Sequence, residues 1–124
     1  MLFKIILSGH LEFGSDRTFE LALNMFLQRA ETYYKNDILL KPEEVFISEK
    51  SMLDIPRSIT NTAAEKSWRN TVHLLDTMAQ YAIAGNIGAW KLDNGSMVEH
   101  AFIEPKGDKS AVQTFLRGRE LLTQ

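Results

Sequence analysis

A chain of 124 residues, 44% hydrophobic and 24% charged, reads as one domain able to bury roughly two-thirds of its unfolded surface without cross-links. It has no cysteine, which excludes a disulfide framework, a thiolate zinc site and a thiol nucleophile. A net charge of -2 and a pI near 5.9 count against nucleic acid as a partner, because its binders carry a basic stripe.

The opening apolar run is interrupted by Lys4 and ends at Ser8-Gly9-His10, too short for a secretory core. No stretch reaches the roughly 18 apolar residues of a membrane span. The expectation is a cytoplasmic protein without membrane association.

Over residues 3–13 apolar side chains recur at alternate positions, which predicts a long strand. Gly9 marks a bulge or bend within it, and Lys4, Ser8, His10 and Glu12 form its solvent-leaning face. Ser15 or Asp16 then caps a first helix, whose apolar stripe is Phe19, Ala22, Leu23, Phe26, Ala30 and Tyr33. Asn36-Asp37 supplies its stop.

Residues 38–61 are poorly patterned. A helical turn is expected at Lys41-Pro42-Glu43-Glu44 and a brief strand at Val45-Phe46-Ile47-Ser48, with extended backbone before Pro56. Thr62-Ala63-Ala64-Glu65 has the form of a capping box opening a long helix that Gly85 would stop. Along that helix Ala64, Trp68, Thr71, Val72, Leu75, Ala79 and Ala82 form one face, and Leu74, Met78 and Tyr81 widen the apolar arc beyond one buried stripe.

Two strand-like runs flank Asp93-Asn94-Gly95-Ser96, a strong hairpin signal. A two-residue turn would pair Leu92 with Met97 and set Trp90 opposite Glu99. A three-residue loop would pair Trp90 with Val98 and gather Trp90, Leu92, Val98 and Phe102, with His100, on one face. The second is preferred because it keeps Trp90 away from Glu99. A last helix capped by Asp108 would bury Val112, Phe115, Leu116 and Leu122.

The order predicts a single α+β domain over residues 1–124, with a small, mainly antiparallel sheet of three to four strands and three helices largely on one face. No nucleophile elbow, P-loop or dinucleotide pattern occurs. The leading functional expectation is therefore a non-enzymatic protein–protein interaction or assembly module without a cofactor. Its simplest form is a homodimer, and its surface is Trp68, Leu74, Met78 and Tyr81 on the long helix. The alternative is a small-molecule or metal-dependent enzyme with a pocket near His10, Glu12, Trp90, Glu99 and His100, between the sheet and the middle segment. It requires those side chains to converge.

Overall fold

The structure is a computed structural model and describes residues 1–106, with the backbone alone over residues 56–61. Strand β1 (Phe3–Glu12) leads into helix α1 (Asp16–Thr32), a single helical turn α2 (Pro42–Val45), a two-residue β2 (Phe46–Ile47) and β3 (Met52–Ala63). Helix α3 (Glu65–Ala79) and the hairpin strands β4 (Ala84–Asp93) and β5 (Ser96–Ile103) follow. The class is α+β as expected. The sheet, however, has five strands rather than three or four, ordered β2-β3-β1-β4-β5 with every pairing antiparallel. The expected C-terminal helix from Asp108 lies outside the described residues.

The strand missing from the sequence reading is β3. Proline lacks an N–H for a sheet ladder, so Pro56 argues against a regular strand. The fold accommodates it in an irregularity. Leu7 pairs with Ile59 and Gly9 with Ile55, which leaves residues 56–58 opposite Ser8 alone.

Local signals at α1 act as expected at its start. Ser15 is the N-cap, its hydroxyl accepting from the Thr18 N–H at 3.1 Å. Phe19, Ala22, Phe26 and Ala30 are buried, whereas Tyr33 falls beyond the helix end and is exposed. Helix α3 departs from its expected caps. Thr62 belongs to β3 and pairs with Lys4, so Ala64 is the N-cap and has no side-chain bond. At the other end the helix closes at Gln80, and Gly85 is a residue of β4 facing Leu11.

Side chains directly opposite in a sheet share a face. Ile5, Leu7 and Leu11 therefore align with Leu53, Ile55, Ile87, Ala89 and Ile103, and all are buried in one core with the inner sides of α1 and α3. The second face of the sheet carries Lys4, Ile6, Ser8, His10 and Glu12 from β1, with Asn86, Gly88, Trp90 and Leu92 from β4. This second face is uncovered among the described residues, and the long apolar arc of α3 is not. Among the described residues no helix is long and apolar enough to cross a membrane.

Candidate functional site

Asn94-Gly95 makes the two-residue turn of the hairpin, with φ of 51° and 82° and Asp93 paired to Ser96. Two successive left-handed residues match the twist of the flanking strands. Leu92 then pairs with Met97, but the register shifts at the next step. Lys91 pairs with Glu99 and Trp90 with His100, so Val98 is an extra, bulged residue. Neither register weighed from the sequence is the one formed. The Asn-Gly turn is tight, and the bulge still keeps Trp90 from Glu99.

That one residue sorts the hairpin's chemistry between two faces. On the uncovered face the Trp90 and His100 rings stack, with centroids 5.2 Å apart and planes at 16°. Phe102 lies beyond, 6.4 Å from the His100 ring. Trp90 rests on Gly88, where an added Cβ would come within 2.4 Å of the indole. Gly88 is thus the floor that lets the indole lie on the sheet. Met97, Val98 and Phe102 are 63%, 55% and 55% exposed, which gives the outer strand β5 an open apolar surface.

On the inner face Lys91 is almost fully enclosed. Its ammonium is bonded to Glu65 and lies 3.1 Å from a Glu99 oxygen. It also sits 4.8 Å from the Phe3 ring and 5.8 Å from the Trp68 ring. Trp68 completes the cluster by donating its Nε1–H to Glu99 at 3.0 Å. A buried lysine surrounded this way is a structural cation and a poor nucleophile, because every contact favours its charged form.

The hydrogen bond to Glu65 chiefly holds Lys91 above its ordinary 10.5, against the opposing effect of burial. The Trp68 hydrogen bond, followed by Lys91, holds Glu99 below its ordinary 4.5. A lysine raised on folding adds stability below its unfolded value and loses it as pH rises through the folded one. A carboxyl lowered on folding adds stability above its unfolded value and loses it as pH falls through the folded one. The cluster's contribution is expected to be level from about pH 5 to about pH 10 and to decline on both sides. Thermal melts across pH check this: Lys91→Met should abolish the alkaline decline and reduce the acid one. A variant profile parallel to the parent's would remove the cluster as its source.

The side chains singled out from sequence are separated by this arrangement. Trp68, Leu74 and Met78 are buried beneath the sheet, and Tyr81 is half-buried against the same core. They are not an exposed recognition surface, because α3 is touched by the sheet, by α1 and by the chain after α1, whose Leu39 N–H donates to Thr71. In the alternative set, Trp90 and His100 meet on the open face, while Glu99 points to the other side. His10 and Glu12 form a half-exposed pair 3.5 Å apart at the far end of the sheet. Register places His10 opposite Asn86 and His100 opposite Trp90, so strand spacings separate the two histidines by roughly 15 Å. Among the described residues no group of three or more His, Cys, Asp or Glu is arranged to hold a metal ion.

Among the described residues a concave surface lies between α1 and residues 36–48, and none of the five residues proposed for a pocket lines it. Compared with known proteins, the chain matches no family model, no curated protein and no solved structure. The functional reading therefore rests on the chain's own surfaces.

Proposed function

We propose that the protein is a non-enzymatic assembly module that pairs with a second copy of itself through the edge of β5, with the aromatic row beside it as the lateral contact. The observation that carries this reading is that β5, an edge strand among the described residues, has eight residues with no proline or lysine in Ser96–Ile103 and three large apolar side chains more than half exposed. Open edges normally carry devices that prevent pairing. The other side of the sheet follows that rule: short β2 covers Met52 and Leu53, and Pro56 interrupts the strand behind it. On β5 the bulge at Val98 disturbs only the end near the turn, and residues 99–103 run in regular register.

Charge favours a second copy as the occupant. Homotypic pairing sets each ionised group near its own image, and Glu99 is the one acid or base within β5 besides His100. Its carboxylate is engaged on the inner side by Lys91 and Trp68. Antiparallel pairing about a twofold axis is self-complementary and would carry the aromatic row from one protomer to the next. Stacked aromatics on a sheet can also hold single-stranded nucleic acid when set in a basic groove. Among the described side chains Lys4 shares the open face with Glu12 and Asp54, which gives no such groove there.

Sedimentation velocity over a concentration range tests the reading. The parent should pass from monomer to dimer, and Val98→Lys and Phe102→Lys should each weaken association about tenfold or more, a loss of about 1.4 kcal/mol. Their melting temperatures should stay near the parent's, since both positions are more than half exposed. A parent that is monomeric throughout, or lysine variants that dimerise like the parent, would remove the proposal.

A further inference from the structure

The helix side of the molecule has a groove that the hairpin does not share. One part, of about 440 Å³, lies between Phe19, Leu23 and Leu27 of α1 and Pro42 and Phe46 across from them. It continues past Leu27, Pro42 and Glu43 into a second part of about 630 Å³ lined by Ala30, Ile38 and Leu40. The far wall is built rather than loose. Leu39 donates its N–H to Thr71 at 3.0 Å, and Asn70 of α3 donates to the Asp37 carbonyl at 2.9 Å. Phe46 forms the floor and rests on buried Phe26, whose ring lies 5.2 Å away and edge-on.

Three carboxylates, Glu20, Glu31 and Glu43, line this groove against the single cation Lys41. Glu20, Glu31, Glu43 and Lys41 are all exposed. None of the three acids takes part in an ion pair among the described residues. From Phe19 to Glu31 the groove follows α1 for about 18 Å at the usual rise, the length of a helix of about twelve residues. Leu23 and Leu27 stand one turn apart along it, the ridge spacing on which a second helix packs.

We infer that this groove docks an amphipathic helix of about three turns from a protein partner, its apolar face on Leu23, Leu27 and Phe46 and its lysines or arginines on Glu20, Glu31 and Glu43. Helix-in-groove recognition uses this combination, with apolar anchors setting position and surrounding charge setting partner choice. The groove is independent of the β5 edge, so either surface can fail alone.

The test is fluorescence anisotropy of a labelled fourteen-residue leucine–lysine amphipathic peptide titrated with the full chain. A leucine–glutamate peptide of the same pattern is the control. The lysine peptide should bind saturably and lose affinity with added salt, and the glutamate peptide should not bind. The double charge reversal Glu31→Lys with Glu43→Lys should raise Kd at least tenfold, and Leu27→Asp should do the same. Both variants change exposed positions, and circular dichroism confirms that they fold. Equal binding of the two peptides, or a Kd unchanged in the variants, would overturn the inference. So would competition by a peptide of residues 107–124 at a lower concentration than the unlabelled lysine peptide needs, since that outcome gives the groove to the chain itself. Sedimentation of Val98→Lys alongside shows whether peptide binding persists in a monomer.

Discussion

Trp68→Ala should lower the free energy of unfolding by about 3–5 kcal/mol, and Trp90→Ala by only about 1 kcal/mol. Trp68 has no exposed surface, is packed among core side chains and donates its indole N–H to Glu99. Truncation leaves a cavity, an undonated carboxylate and a lysine without one of its two aromatic neighbours. Trp90 is half-buried on the open face, over Gly88 and against the His100 ring. Its removal uncovers surface without opening the interior. Urea denaturation of the two variants measures the contrast, and single-tryptophan emission should be blue-shifted for Trp68 and red-shifted for Trp90. Comparable losses in both variants would mean that the open face is core, and the β5 proposal would lose its motive. The association assay should show the reverse order, with Trp90→Ala the more damaging to dimer formation.

That reversal also marks where the sequence was readable. Features set within a few residues were visible: the alternation of β1, a cap at Ser15 or Asp16, the Phe19-to-Ala30 stripe and the position of the hairpin at Asn94-Gly95, though not its two-residue turn. Features set by partners distant in the chain were not. The arc of α3 from Trp68 to Met78 exceeds one stripe because the helix is enclosed by more than the sheet. Residues near Leu39 cover it on a further side, tied by Thr71. A sequence shows the width of an apolar arc and not the number of neighbours that fill it.

The hairpin register was hidden for a related reason. Setting Trp90 against Val98 rather than Glu99 avoids placing an indole opposite a carboxylate, but that cost does not decide the register. The side chain that decided was Lys91, which shares the buried parity of Ile87 and Ala89. A lysine at such a position requires a carboxylate on the same face. After a two-residue turn, Glu99 shares that face only if one residue of β5 is left unpaired, and Val98 is that residue. The usable signal was a cation on the inner side of an otherwise apolar strand. Pro56 concealed β3 in the same way, since the residues that surround it in the ladder come from β1, almost fifty positions earlier.

Gly9→Ala is expected to cost about 4 kcal/mol, the second large effect, although it adds a single methyl group. Gly9 has φ of 124°, in the region that side-chain-bearing residues avoid, a strain of about 1–3 kcal/mol. A Cβ there would also meet the Asn86 carbonyl oxygen at 2.2 Å and the Ile87 Cα at 2.9 Å. Both contacts are backbone of β4, and β1 is hydrogen-bonded to strands on either side, so the clash is relieved only by moving the centre of the sheet. Gly95→Ala provides the reference. Gly95 is also at positive φ, 82°, but nothing lies within 4 Å of its added Cβ, so it bears the backbone strain alone, about 1 kcal/mol. The difference between the two variants in urea denaturation isolates the close approach of β1 and β4. That approach sets Ile6 against Trp90, which in turn pairs with His100 of β5, so Gly9→Ala should also lower dimer affinity, whereas Gly95→Ala should leave it near the parent's. Equal destabilisation by the two substitutions would mean that strain alone acts at Gly9 and that the spacing of the central strands has no bearing on the aromatic row.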